Sequence, residues 1–312
     1  MIGGMTERLM LLDTASLYFR AFYGVPDSVR APNGTPVNAV RGLLDIIARL
    51  VSEFEPTRLV ACWDDSWRPQ WRVDLIPSYK EHRVARVDAK GVSIEETPEN
   101  LVVQIPLIRD VLDAFGIAVL GATDHEADDV IGTLASTASV PVDVVTGDRD
   151  LFQLADDEAD VRIIYTARGM SKLEIVTDDV LRSKYGIAPE QYADFAVMRG
   201  DASDGLPGVA GIGEKTATNL LAEYGSLDRI IAVAADPDEP LSSTLRARIL
   251  AAADYLAVAP KVVEVVRDLP LEVPDARIRP LSSDRRARIA SLADEWGLGG
   301  SVDRALKALG ND

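Results

Sequence analysis

Nine acidic residues carry the first chemical signal: Asp13, Asp64, Glu126, Asp128, Asp129, Asp148, Asp150, Asp201 and Asp204. Each lies beside a segment that reads as a strand end or a helix start. Carboxylates gathered in one cleft repel one another and persist only with positive charge among them, which divalent cations supply. Two histidines, His82 and His125, and one cysteine, Cys62, cannot build a Cys/His zinc site. Oxygen ligands point instead to magnesium or manganese, and nine carboxylates exceed the needs of one ion. A metal-dependent hydrolase is the first expectation.

The elements that must position these acids follow from periodicity. Residues 9–13, 58–64, 117–121 and 143–148 read as buried parallel strands, each leading into a loop or helix. Residues 38–53 between them have helical spacing, with Val40, Leu43, Leu44, Ile47 and Leu50 on one face. Strands alternating with helices imply an α/β layer with a mostly parallel sheet, whose working residues sit beyond the carboxyl ends of the strands. Asp13, Asp64 and Asp148 each occupy such an end. Residues 126–135 read as a helix opening on acids, with Ala127, Val130, Ile131 and Leu134 facing the core. Acids there also complement the helix dipole, so this motif alone does not prove a site.

Residues 66–90 reverse the local charge. Arg68, Arg72, Lys80, Arg83, Arg86 and Lys90 outnumber Asp74, Glu81 and Asp88, with Trp67, Trp71 and Tyr79 interleaved. Phosphate contacts plus stacking rings suit single-stranded nucleic acid, although a solvated basic helix over core aromatics has the same composition. Lys80 and Arg83 are spaced to share a helix face. Residues 87–100 lack periodicity and read as a mobile loop. From Thr177 onward helices dominate, and GDASDGLPGVAGIGEKTATNLL at 200–221 reads as two short helices punctuated by glycines. Gly208, Gly211 and Gly213 allow close backbone approach. Lys215 and Thr216 open a helix whose amides can hold a phosphate without reading a base. That is a helix-hairpin-helix pattern for duplex backbone.

The 312 residues leave room for two packed units, 47% of them apolar, with a net charge of −17. Removing the nine acids from the fifty still leaves 41 acidic against 33 basic residues, so only local patches favour a polyanion. A single cysteine excludes an intrachain disulfide and suits a reducing cytoplasm. The first residues lack a signal pattern, and either Met1 or Met5 can be the start. No apolar run is long enough to span a membrane.

MLLDT at 10–14, YKEHR at 79–83, EADDV at 126–130, TGDRDLFQL at 146–154 and GDASDGLPGVAGIGEKTA at 200–217 together resemble the bacterial and phage 5′-nuclease family. That family includes the 5′-nuclease domain of bacterial DNA polymerase I, and the flap endonucleases are relatives. KYGI at 184–187 and DLPLEV at 268–273 fit as well. Asp65, where relatives often have a small residue, and the lack of a proline-rich pattern after Arg83 depart from it.

The resemblance implies a PIN-like, Rossmann-like catalytic layer over 8–173 with a helical arch at about 66–100. A helical DNA-binding domain with the hairpin would follow over 174–312. It implies a first metal cluster of Asp13, Asp64, Glu126 and Asp128, and a second around Asp129, Asp148, Asp150 and Asp201, with Asp204 in support: two or three Mg2+ or Mn2+ ions. Lys80 and Arg83 match a basic pair that grips the scissile phosphate, Tyr79 a base-stacking ring, and Arg20 an arginine near the site. Gly208, Gly211, Gly213, Lys215 and Thr216 match the hairpin's duplex contacts, and the carbonyls of Val209 and Ile212 a potassium site. The implied activity is 5′-3′ exonuclease and 5′-flap endonuclease cleavage of DNA with 5′ ends, flaps, nicks or gaps, and of RNA primer–DNA hybrids, by a cytoplasmic, nucleoid-associated monomer. A non-catalytic DNA-structure-binding protein and a PIN-like ribonuclease are the competing readings.

Overall fold

β1 (Leu9–Asp13) is buried at every position, and its alternate residues feed two cores. Leu9 and Leu11 pack on one face of the sheet, Met10 and Leu12 on the other. A strand covered on both faces must be apolar throughout, which is why these strands read as unbroken runs. The computed structural model describes residues 7–89, 91–273 and 275–311. Lys90 of the basic segment and the alternative starts Met1 and Met5 lie outside them.

The strands that follow are β2 (Arg58–Cys62), β3 (Val84–Val87), β4 (Ser93–Glu95), β5 (Ala118–Leu120), β6 (Val142–Thr146), β7 (Val161–Tyr165) and β8 (Glu174–Val176). The main sheet runs β5-β2-β1-β6-β7-β8, parallel except for β8. From β1 the chain winds outward to β2 and β5, then crosses back to β6. The order therefore reverses between β1 and β6, and ligand crevices form at such a switch point. α1 (Thr14–Gly24) and α2 (Asn38–Phe54) cover one face, α2 through the apolar stripe that its spacing predicts. No helix among the described residues is long and apolar enough to cross a membrane.

The 66–100 segment is less helical than expected. It holds α3 (Gln70–Leu75) and a single 3-10 turn at Glu81–Arg83, and then β3 and β4 pair as an antiparallel hairpin. The stretch read as a mobile loop thus contains the second strand of that hairpin, tied down where Trp67 Nε1 donates to the Ser93 carbonyl at 3.2 Å. Lys80 has φ 49°, outside any helix, so it does not share a helix face with Arg83. β7 and β8 are additions to the four expected strands.

α4 (Ile105–Ala114) and α5 (Ala127–Thr137) complete the first layer. Beyond β8 come α6 (Tyr192–Arg199), α7 (Glu214–Tyr224), α8 (Leu227–Ala235), α9 (Ser243–Ala251) and α10 (Ala259–Val263). Residues 200–213 form one loop between α6 and α7, not two short helices. α11 (Ser283–Trp296) and α12 (Gly300–Ala308) then return to the first layer. Ile289, Val302 and Ala305 join the core beneath α2, and Arg304 pairs with Asp45 at 2.7 Å. Ahead of them the chain edges β2, with Leu59 N donating to the Ala276 carbonyl at 2.8 Å and Ile278 N to that of Thr57 at 2.9 Å.

Candidate active site

The carboxyl ends of β1, β2 and β6 open on a cleft of about 620 Å3. Asp13 closes β1 and caps α1: Oδ1 accepts from Ser16 N at 3.2 Å and Oδ2 from Thr146 Oγ1 at 2.7 Å. Asp64 lies just past β2 and accepts from Ala127 N at 2.7 Å, joining β2 to the start of α5. Glu126 is the N-cap of α5, and Asp128 stands in its first turn. Asp148 follows β6 and accepts from Asp150 N at 2.9 Å. Asp201, at the start of the hairpin loop, pairs with Arg199 at 2.9 Å. Asp13, Asp64, Glu126, Asp128, Asp148 and Asp201 all line the cleft.

Burial, and then neighbouring charge, raises the pKa of several acids here. Burial and then the Asp64 charge push Asp13 up to about 7, against hydrogen bonds from Thr146 and Ser16 that lower it. Burial, eased by the Ala127 amide and deepened by Glu126, pushes Asp64 up to about 6. Asp128 and Asp150 are raised by burial and then by neighbouring carboxylates, Asp13 for the first and Asp148 for the second. Asp150 Oδ1 is buried and, among the described residues, has no hydrogen-bond donor. Asp204 stands beside these acids, raised to about 6 by burial, with Lys80 pulling the other way.

Two expected residues are placed elsewhere. Asp129 is fully buried, and both of its oxygens are taken. Oδ1 accepts from Arg72 Nη2 at 2.7 Å and from Val266 N at 3.0 Å; Oδ2 accepts from Arg72 Nη1 at 2.9 Å and from Glu126 N at 3.3 Å. It faces away from the cleft into this clamp, not toward an ion. Tyr79 is 4% exposed and its hydroxyl donates to Glu126 Oε2 at 2.7 Å, so its ring is core and unavailable for base stacking. Arg20 lines a neighbouring groove that shares Ser16 and Phe19 with the cleft, and its Nε has no partner. Asp65 faces Arg109 at 3.5 Å, away from the other acids.

The basic pair does converge on the cleft. Lys80 Nζ pairs with Glu126 Oε1; burial works against its charge, but Glu126, Tyr79 and Asp204 outweigh this and hold its pKa up. Arg83 Nη2 donates to the Ser203 carbonyl at 2.7 Å and to Asp204 Oδ1 at 3.2 Å. Those bonds clasp the 66–100 segment to the hairpin loop, as do Lys80 N to the Asp204 carbonyl at 2.9 Å and Ser78 Oγ to that of Gly205 at 2.9 Å. Gly205 (φ +70) makes the clasp possible, since a Cβ there would stand 2.1 Å from the Ser78 carbonyl oxygen.

In the hairpin, Gly213 precedes α7 with no side-chain cap, and Lys215 and Thr216 lie in its first turn. Gly208 (φ +67) packs against the backbone of Arg199 and Gly200. The side chains of Val209 and Ile212 are buried, and the Val209 carbonyl already accepts from Ile212 N at 2.9 Å. Sequence reasoning missed Arg72, Ser16, Thr146, Arg199 and Glu95. Glu95, on β4, lines the cleft and is raised by burial against the pull of Arg83. Thr146 and Arg199 lie within or beside quoted motifs; Glu95 carries no signal that marks it.

The donor set fits hard divalent cations. It is carboxylate throughout and includes one buried oxygen that, among the described residues, has nothing to accept from. Among the described residues no three His, Cys, Asp or Glu side chains already surround one ion position. Lys80 occupies one of the Glu126 oxygens in their place.

A parallel sheet with acids at its switch point, continued into a helical hairpin unit, defines a PIN-like layer joined to a SAM-like domain. Residues 8–186 match the family described as 5′-3′ exonuclease, N-terminal resolvase-like domain, and residues 187–285 match 5′-3′ exonuclease, C-terminal SAM fold. The chain therefore belongs to the 5′-3′ exonuclease family. It is 57% identical to a 5′-3′ exonuclease of Streptomyces coelicolor, over 96% of this chain and 99% of that one. A 5′-3′ exonuclease of Mycobacterium tuberculosis is 48% identical over 98% of each chain. DNA polymerase I of the same organism is 39% identical, over 90% of this chain but 30% of its own length. Among solved structures, T5 5′-exonuclease with divalent zinc ions bound superposes with a TM-score of 0.61 at 17% identity, covering 97% of this chain and 100% of that one. The catalytic core of Rad2 in complex with DNA substrate gives 0.61 at 16% identity, covering 97% and 92%. At that identity both bear on the fold alone.

Proposed function

We propose that this chain hydrolyses phosphodiester bonds at the 5′ ends and 5′ flaps of DNA, and in RNA primer–DNA hybrids, using two or three Mg2+ or Mn2+ ions. We also read it as a monomer that works on the nucleoid, in replication and repair. Residues 8–173, extended to the end of β8 at Val176 because that strand joins the sheet, would form the catalytic layer, and the helices after it the duplex-binding unit, with α11 and α12 bracing the first. The observation that carries the reading is the buried, donorless Asp150 oxygen beside seven carboxylates that share one cleft with Lys80 and Arg83. Divalent cations would neutralise the charge gathered in such a set.

Asp13, Asp64, Glu126 and Asp128 would hold one ion, and Asp148, Asp150 and Asp201 would hold others, with Asp204 in support. When bound, such ions supply the attacking hydroxide and relieve charge on the phosphate and leaving oxygen. The chain does the rest. Lys80 and Arg83, held within the acid cluster by Glu126 and Asp204, would bring positive charge to the phosphate, where charge develops in the transition state. Their hold on Asp204 and Ser203 sets the distance between the basic segment and the hairpin, and so between a 5′ end in the cleft and duplex on α7. Asp129 is assigned to structure, clamped on Arg72.

A 5′-flap duplex incubated with Mg2+ or Mn2+ should release the flap with a 5′-phosphate, and single-stranded RNA should be cut far less. Asp148→Asn should abolish cutting yet keep DNA binding. Background product from wild type on every flap substrate would overturn the reading in favour of a pure binding protein.

A further inference from the structure

Arg248 reaches the hairpin loop from α9, outside the loop itself. Its Nη1 donates to the Gly211 carbonyl at 3.0 Å. The guanidinium lies flush on the turn: Cζ, Nε and Nη2 stand 2.7, 2.8 and 3.0 Å from where a Cβ would sit on Gly211, whose φ is +79. Any other residue at 211 would push the guanidinium off and strain the backbone. The group is exposed, and among the described residues it has no carboxylate partner, in a chain with 50 acidic residues to choose from. It uses one of five donors there and leaves the others uncommitted.

Its surroundings are mostly bare backbone, with the exposed Glu214 in the first turn of α7. Gly211 and Gly213 are exposed, a Cβ on Gly213 would meet nothing within 4 Å, and α7 starts there without a side-chain cap. Lys215, two residues after Gly213, is exposed. An anion approaching those free amides meets the guanidinium at the same turn, and a planar fork matches phosphate oxygens in a way an ammonium does not. From this geometry we infer that Arg248 is the built-in cation of the hairpin: it takes a phosphate of the duplex backbone at Gly211, and the hairpin needs no monovalent metal ion. A tethered charge forms the contact without first capturing an ion from solution.

The inference rests on the DNA-binding reading above, and one titration separates their failures. Binding of a fluorescent 5′-flap duplex is measured by anisotropy in EDTA, which withholds divalent ions, between 50 and 200 mM salt. Each phosphate contact contributes about −0.9 to the slope of log affinity against log salt. Arg248→Ala should lower that slope by about one, weaken binding roughly tenfold at 100 mM salt, and leave the thermal melt unchanged. Arg248→Lys should recover part of the affinity. Wild type should bind equally, within about twofold, in potassium, sodium and choline chloride. An unchanged slope for Arg248→Ala overturns the assignment, and so does a loss of more than about fivefold for wild type in choline. Wild type that fails to bind any flap duplex brings down the functional reading and this inference with it.

Discussion

Asp129→Asn separates a structural acid from a catalytic one. Asp129 and Arg72 are 0% and 3% exposed and meet at 2.7 and 2.9 Å, while Arg72 also donates to Glu126 at 2.6 Å and to the Val262 carbonyl at 3.0 Å. Asparagine keeps one acceptor but turns an amide donor toward a guanidinium that has only donors. Removing one member of a buried pair costs about 3–5 kcal/mol, because the other charge is left desolvated. Against a total stability of about 5–15 kcal/mol, the variant stays folded at 25 °C but loses a large share of its margin. Urea denaturation of the metal-free protein should show that loss as a lower midpoint at constant slope. Titration calorimetry with Mn2+ should find the wild-type number of ions. If Asp129 instead belonged to the repelling acids, the sign would invert: removing its charge would stabilise the metal-free protein and weaken metal binding. Either result would refute the clamp.

Protonation gives a second test. Asp13 and Asp64 titrate at about 7 and 6 in the fold, above the ordinary 3.8. A carboxyl with a raised folded pKa favours the fold while neutral, so that contribution is complete below about pH 4 and is lost as pH rises through 6–7. The metal-free melting temperature should fall across that window, and Mg2+ should restore more of it at pH 8 than at pH 5; a flat profile would contradict the crowding. Lys80→Ala should slow cleavage about 10²–10³-fold, yet bind Mn2+ more tightly, since no ammonium then contests Glu126; weaker Mn2+ binding would count against that competition. Gly205→Ala should cost roughly 1–3 kcal/mol of stability from its left-handed backbone alone, with more from the Ser78 contact, and a melt within 1 °C of wild type would show that the clasp yields freely.

The sheet was legible because its strands are buried on both faces and leave continuous apolar runs. The acid set was legible because those runs end in aspartates. Asp129 was not, since the choice between it and Asp128 is made by Arg72, 57 residues away in sequence. Helical spacing alone put Asp129 on the same flank as Glu126. The β3–β4 hairpin was hidden for a different reason: β3 is largely solvated and β4 is half-buried at every position, so neither shows the alternation that burial imposes. Arg248 was invisible in the hairpin motif because it belongs to another helix.

The return of α11 and α12 to the first layer also sets an order in time. Asp45 and Arg304, which join α2 to α12, are separated by 259 residues. At about 5–20 residues per second, roughly 13–50 s of synthesis pass between them. For nearly all of that interval α2 is without Val302 and Ala305, and for most of it β2 is without its partner at Ala276. The nascent chain thus carries its acids long before the layer beneath them is sealed. A nuclease built this way matures only after its hairpin unit has been made, so the cutting centre and the part that selects where to cut become competent together.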